Sequence, residues 1–268
     1  MEQGIHDAFT PELLTQACNF FGTTSEPKFI RYFENFVYDV LRDEMDCILR
    51  LTHSSHRIPD QVSSEISWLN YLCENDVPAS PALRAATGSY VFRMNASKGY
   101  FTASLFQKAT GTHATELDLN SEHYLKLGQV IGKIQNLSKS YKTPWHLPPR
   151  NHWYEESYHN AQAHLPTSDA AIITLIEKHI AKIKTWKTGP ENYGMIHSDA
   201  HPGNFFVDGN DITLFDFDDV HQSFYVCDAV TIFWSVLTWR TEPENRREVA
   251  AELQRQFWKG YNEHTSID

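Results

Sequence analysis

Apolar positions along the chain switch between two periods. The first twenty residues read as a helix, with Thr10 as candidate cap, Pro11 in the first turn, and Leu13, Leu14 and Ala17 at helical spacing. "NFVYDV" (Asn35 to Val40) then alternates strictly, "RDEMD" turns, and "CILRLT" (Cys47 to Thr52) reads as a second strand, so an antiparallel hairpin is expected. In "DQVSSEISWLNYLCEND" the helical period returns. Val62, Ile66, Leu69 and Leu72 with Cys73 form one stripe, and Glu65 lies beside it. "SYVFRMN" and "GYFTASLFQ" predict two more strands around a polar turn at Ala96 to Gly99.

The pattern changes after Gln107. "KATGTHATELD" is a polar linker, and helices dominate beyond it. Glu122 to Leu137 is predicted helical with Leu125, Val130, Ile134 and Leu137 inward, and its Gly128 and Gly132 permit close packing. "TPWHLPPRNHW" breaks the pattern. Amphipathic Asp169 to Trp186, a buried helix over Val226 to Trp239 and a terminal helix over Glu244 to Gly260 follow. The expectation is an α+β protein of two lobes. Residues 1–107 form a small lobe of sheet plus helix, and residues 108–268 a mostly helical lobe.

Composition narrows the functions. Apolar residues make up 41% and aromatics 13%, ample for a core and against disorder. The formal charge of −11, from 34 acids and 23 Lys and Arg, opposes nucleic-acid binding, which needs a basic patch, and suits a cationic small substrate. Cys18, Cys47, Cys73 and Cys227 form no CxxC pair, and "MEQGIHDAFT" has no basic-then-apolar leader. The most apolar run, Phe224 to Leu237, contains Asp228 and is too short to span a bilayer. A cytoplasmic protein without membrane partners is expected.

The chemistry concentrates in "MIHSDAHPGNFFVDGNDITLFDFDDV", Met195 to Val220. His197, Asp199 and His201 alternate in the manner of hydrolase metal ligands, but Pro202-Gly203 forces a turn and no second histidine cluster accompanies them. Phosphoryl transfer accounts for more positions. Asp199 stands before Asn204 with four residues between, on a loop opened by His197, which is the spacing of a kinase catalytic loop. There a carboxylate orients the acceptor hydroxyl and takes its proton, while an amide oxygen holds a magnesium ion. A second carboxylate must come from a neighbouring strand end. Phe205 to Val207 and Ile212 to Phe215 are short apolar strands joined by Asp208-Gly209-Asn210, a hairpin signal that returns Asp216 toward Asn204. Asp208 and Asp211 read as turn formers.

His197-Ser198-Asp199, His201-Pro202-Gly203-Asn204 and Asp216-Phe217-Asp218-Asp219 together resemble the aminoglycoside phosphotransferase and choline kinase family, near its type II homoserine kinase and bacterial stress-kinase branches. The resemblance extends over almost the whole chain and implies a protein-kinase-like bilobal fold, ATP and Mg2+ as cofactors, and a hydroxyl-bearing small molecule as acceptor. It implies Asp199 as catalytic base, Asn204 and Asp216 as magnesium ligands, Asp218 as support for metal or substrate, and His197 as a brace of the loop. In the small lobe it places Arg50 at the ATP phosphates, with Glu65 as its ion-pair partner. Glu34-Asn35 stands at the tip of the phosphate-covering loop, and the backbone of Gln107, Lys108 and Ala109 meets adenine, with Phe106 nearby.

The chain departs from the family in several places. The segment "RYFENFVYDV" has no glycine, although backbone N–H groups usually cradle phosphate there. Ser198 stands for the usual glycine, a mild change if its φ is negative. Gln135 stands where histidine is common, and after "FWKGY" the chain runs only to Asp268, implying a more open acceptor pocket or a larger substrate. For the acceptor, an amino alcohol such as homoserine or choline, or an aminoglycoside, fits the acidity. Asp218, Asp219, Asp228, Trp153, Tyr154 and Trp234 are candidate pocket residues. A pseudokinase, a protein Ser/Thr kinase and a metal-dependent hydrolase are the alternatives.

Overall fold

The computed structural model describes residues 3–156 and 161–266. The chain forms two compact units. The first comprises the chain up to Leu119, Lys142–Pro148 and Pro202–Asp218; the second comprises Asn120–Tyr141, Pro149–His201 and the chain from Asp219.

The first unit is built on an antiparallel sheet. Its strands are β1 (Lys28–Tyr32), β2 (Asn35–Arg42), β3 (Met45–His53), β4 (Ala82–Leu83), β5 (Phe92–Asn95) and β6 (Tyr100–Gln107), in the order β1-β2-β3-β6-β4 with β5 also on β6. Strand alternation sorts the side chains. Phe36, Tyr38 and Val40 join Leu49, Leu51, Phe101, Ala103 and Leu105 in a core, onto which helix α1 (Pro11–Phe21) packs Leu13, Ala17 and Phe21. Val37, paired with Arg50, belongs to the other set of alternate positions. Helix α2 (Pro59–Glu74) buries Val62, Glu65, Ile66, Trp68, Leu69 and Leu72. A smaller sheet, β7 (Thr112–His113), β9 (Phe205–Asp208) and β10 (Asp211–Leu214), has the order β10-β9-β7 and belongs to the same unit.

The second unit is mainly helical. Its longer helices are α3 (Ser121–Ser138), α4 (Ala170–Ile183), α5 (Val226–Trp239) and α6 (Arg246–Tyr261), beside a two-stranded sheet of β8 (Tyr193–Ile196) and β11 (His221–Phe224). Helices α3 and α6 approach until their backbones touch. A Cβ on Gly128 would strike the carbonyl of Phe257, and one on Gly260 the carbonyl of Leu125. The inward stripe of α3 is Leu127, Val130, Ile131 and Ile134, while Leu125 and Leu137, expected inside, are only partly buried.

Two helices are less covered than their patterns suggest. Helix α4 is amphipathic, yet none of its residues is buried, and Ile172 and Leu175 are exposed. Helix α5, expected to be buried, turns Ala229, Ile232 and Val236 inward but exposes Val226, Val230 and Trp234. Periodicity finds the apolar face; it does not say what covers it. Among the described residues, no helix is long and apolar enough to cross a membrane.

Candidate functional site

The first unit contains a partly open cavity of about 210 Å³, walled by Val37, Ile48, Leu69, Phe106, Phe206 and Phe215. Four of the residues expected at adenine, Phe106, Gln107, Lys108 and Ala109, line it. The Gln107 N–H goes to the Pro81 carbonyl at 3.0 Å and the Lys108 N–H to the Asp46 carbonyl at 3.0 Å. Their N–H groups are therefore committed to the fold. Among the described residues no carbonyl takes the Ala109 N–H. Lys108 holds Asp39 across the hinge at 2.5 Å.

At the polar end stand two arginines and Asp216. Arg50 on β3 is buried, and its Nη2 donates to Glu65 Oε2 of α2 at 2.7 Å. Its guanidinium lies 4.8 Å from the Phe106 ring centre and 3.9 Å from Asp216 Oδ1. Burial alone would pull the Arg50 pKa down, but the carboxylates of Glu65, Asp218 and Asp216 outweigh it and raise it. Arg50 is thus a permanent cation beside the cavity. Arg31, from β1, makes a second ion pair to Asp216 through Oδ2.

Asp216 lies one residue beyond β10, after Phe215, and Asn204 immediately precedes β9. The hairpin brings the two ends together, with the Phe215 N–H donating to the Asn204 carbonyl at 3.0 Å. The Asp216 backbone is left-handed, with φ +64°, a conformation that costs a non-glycine residue about 1 kcal/mol or more. A carboxylate and an amide oxygen are the hard donors that Mg2+ prefers when waters and phosphates complete its shell. The donor set fits that ion, provided Arg31 yields its place on Asp216.

Asp218 is deeply engaged. It accepts from Asn35 Nδ2 at 2.9 Å and lies 2.6 Å from His56 Nε2, with Arg57 Nε 4.0 Å from its other oxygen. Burial would raise its pKa, but Arg50, His56 and Arg57 together hold it well below the usual carboxylate range. Glu34 is 3.7 Å from the same His56 nitrogen. Glu34 and Asn35 at the hairpin tip are thereby tied to the segment that carries Asp216. Neither Asn35 nor Glu65 lines the cavity, but Glu65 holds Arg50, which does.

In the second unit, Asp199 sits on the loop after β8 with its side chain 40% exposed, accessible to a small molecule. His201 Nε2 is 3.4 Å from its carboxylate, and the Asp199 N–H donates to Nδ1 of buried His197 at 3.3 Å. Asp228 of α5 anchors this loop. Its oxygens accept the N–H groups of Ser198 at 2.7 Å and His197 at 3.2 Å, and Gln135 lies 3.4 Å away. Burial raises the Asp228 pKa, and His197 with those N–H donors pulls against it. Gln135 also donates to the Tyr225 carbonyl at 2.8 Å and accepts from the Tyr261 hydroxyl, which gives this position a packing role.

Several expectations need correction. Ser198 has φ +73°, so its place is one that favours glycine, and the change from glycine is not mild. Asp228 is fully buried and Trp153 only 8% exposed, so neither is a surface that an acceptor can reach. Tyr154 already carries a cation, Lys184 Nζ, 4.2 Å from its ring centre. Pattern reading passed over Arg31, His56, Arg57 and His113. Their partners are far away in the chain, as Arg31 with Asp216 and His56 with Asp218 show, so no local pattern marks them.

The model of the phosphotransferase enzyme family matches residues 29–264. The chain is 28% identical to the amicoumacin kinase of Bacillus subtilis (strain 168) over 260 residues, 96% of this chain and 77% of that one. A solved amicoumacin kinase in complex with AMP-PNP, Ca2+ and Ami superposes with a TM-score of 0.94 at 24% identity, covering 100% of this chain and 82% of that one. A microcompartment-associated aminopropanol kinase gives a TM-score of 0.75 at 22% identity, covering 97% and 82%. The chain belongs to the phosphotransferase enzyme family and has the protein-kinase-like α+β fold of its structural neighbours.

Proposed function

We propose that the protein transfers the γ-phosphate of ATP to a hydroxyl of a small, amine-bearing molecule, with Asp199 as catalytic base and Asn204 and Asp216 as Mg2+ ligands. The observation that carries this reading is the donor set itself. A hairpin joins Asn204 to Asp216, Arg50 stands beside Asp216 and is held by Glu65, and the Asp199 loop is fixed through its backbone to a buried carboxylate.

Each residue then has a task. The apolar cavity takes the adenine ring, and the Ala109 N–H donates to its edge. Arg50 neutralises phosphate charge, and Glu65 holds its guanidinium in place. A cation held by Asn204 and Asp216 supplies positive charge to the phosphate oxygens. Asp199 orients the acceptor hydroxyl and receives its proton. His197 and Asp228 keep that loop rigid, so the carboxylate needs no rearrangement. The charge of −11 favours a cationic acceptor, and the named acceptor of one structural neighbour, aminopropanol, carries an amine beside its hydroxyl. Four free cysteines fit a reducing cytosol.

The test is a panel of amino alcohols, aminoglycosides and amicoumacin with purified protein and Mg2+-ATP. Asp199→Asn is expected to bind Mg2+-ATP as the wild type does while turnover falls by about two to four orders of magnitude, the range for losing a general base. Undiminished turnover in that variant removes Asp199 from the mechanism. ATP binding by the wild type without transfer to any acceptor would favour a nucleotide-binding partner protein instead.

A further inference from the structure

The hairpin over the cavity contains no glycine between Lys28 and Arg42, so it is poorly suited to cradle phosphate through closely approaching backbone. It offers a side chain instead. We propose that Arg31 is a phosphate-binding residue for the donor nucleotide, released from Asp216 when a divalent cation takes that carboxylate. The inference deepens the reading above and rests on it.

Strand register explains how Arg31 comes to face the cavity. Between β1 and β2, Phe29 pairs with Tyr38, but the next pair is Arg31 with Val37, so Ile30 is the extra residue of a bulge. Without the bulge, Ile30 would oppose Val37 and Arg31 would oppose Phe36, whose side chain lies in the core. The extra residue moves Arg31 into line with Val37, and Val37 in turn pairs with Arg50. Directly opposed residues share a face, so Arg31, Val37 and Arg50 form one row across three strands. All three line the cavity with Asp216. The hairpin tip is fixed by Asn35 and Glu34 through Asp218 and His56, so this placement does not depend on Arg31 alone.

The ion pair then has a consequence. Arg31 bonds to Asp216 Oδ2, and its side chain is half exposed. A metal cation and a guanidinium compete for the same carboxylate oxygens, so a cation on Asp216 displaces Arg31. The displaced group stays tethered on the cavity face, and the anion that arrives with the cation is the phosphate chain. Guanidinium binds phosphate oxygens by paired, charge-assisted hydrogen bonds. Arg31 thereby changes one anionic partner for another.

Binding of Mg2+-ATP, Mg2+-ADP and AMP to the full chain distinguishes this role from a structural one. Arg31→Ala is expected to weaken Mg2+-ATP by about tenfold to a hundredfold, as for one lost hydrogen bond to a charged partner, and to leave AMP within about twofold. Arg31→Lys, which keeps the charge but loses the fork, should fall between, and it serves if the alanine variant does not fold. Mn2+ alone, followed by electron paramagnetic resonance, should bind Arg31→Ala more tightly than wild type, because Asp216 has lost its competitor. The two opposite shifts together are the signature. Equal losses for AMP and ATP would make Arg31 structural, and unchanged ATP binding would make it a surface ion pair; either overturns the proposal. A wild type that binds no Mg2+-ATP overturns the proposed function, and this inference with it.

Discussion

Two of the five described non-glycine residues with positive φ lie where chemistry is expected, the others being Asp43, Glu44 and Asp76. Ser198 and Asp216 both hold left-handed φ values, and each sits in a loop carrying a proposed catalytic or metal-binding residue. At Ser198 the strain is sustained from both sides. Its N–H is bound by Asp228, and its carbonyl accepts the Thr231 hydroxyl at 3.0 Å. Both bonds use backbone groups that glycine also has. Ser198→Gly is therefore expected to raise the unfolding free energy by about 0.5–1 kcal/mol, the left-handed penalty less glycine's extra unfolded-state entropy. Urea unfolding measures this, and a loss of stability would mean that the serine side chain contributes bonds of its own. Residue types at fixed spacing pointed to the proposed set of Asp199, Asn204 and Asp216, and the hairpin does bring the last two segments together. Asp228 as the loop's anchor was not legible, because its partners lie some thirty positions away in the chain. Arg31 was not either, since a one-residue bulge decides which face it occupies.

At the scale of elements, the contact of α3 with α6 sets two magnitudes against each other. Within a helix, alanine is favoured over glycine by about 1 kcal/mol. At Gly260, however, the new Cβ would collide with the Leu125 carbonyl and stand 2.9 Å from the Gln129 nitrogen. Both are backbone atoms of a helix that cannot move without opening the core around Leu253 and Phe257. Overpacking of this kind costs about 1–3 kcal/mol, so it prevails over propensity. Gly260→Ala should lower the urea midpoint, whereas the same change at Gly189, where a Cβ meets nothing within 4 Å, should leave it nearly unchanged. An unchanged midpoint for Gly260→Ala would show that the helices part easily. Long periodic helices and the central strands were readable because several repeats reinforce one another. Strands β4 and β7, two residues each, are too short to show a period. The exposure of α4 was hidden because an apolar stripe looks the same whether or not it is covered.

At the scale of the whole molecule, residues 202–218 carry the proposed metal ligands and belong to the unit of the large sheet, although the chain on either side belongs to the helical unit. Two bonds tie this segment to the sheet's surroundings. The Ser80 N–H donates to the Leu214 carbonyl at 2.9 Å, and the Leu214 N–H donates to the Pro78 carbonyl at 3.0 Å. Cooperative opening follows such contacts rather than chain order. All residues lining the cavity lie in this unit, so a nucleotide bound there stabilises it directly. At a hundredfold excess over the dissociation constant the gain is about 2.7 kcal/mol. Hydrogen exchange with saturating Mg2+-ADP should therefore slow the most protected amides of β9 and β10 by the same factor as those of β2 and β3. That factor is about a hundredfold, the same free energy expressed as a population of open states. If β9 and β10 instead kept pace with α5 and α6 while β2 and β3 alone were protected, the segment would open with the helical unit. The donor hairpin and its proposed cation ligands would then not be one cooperative structure.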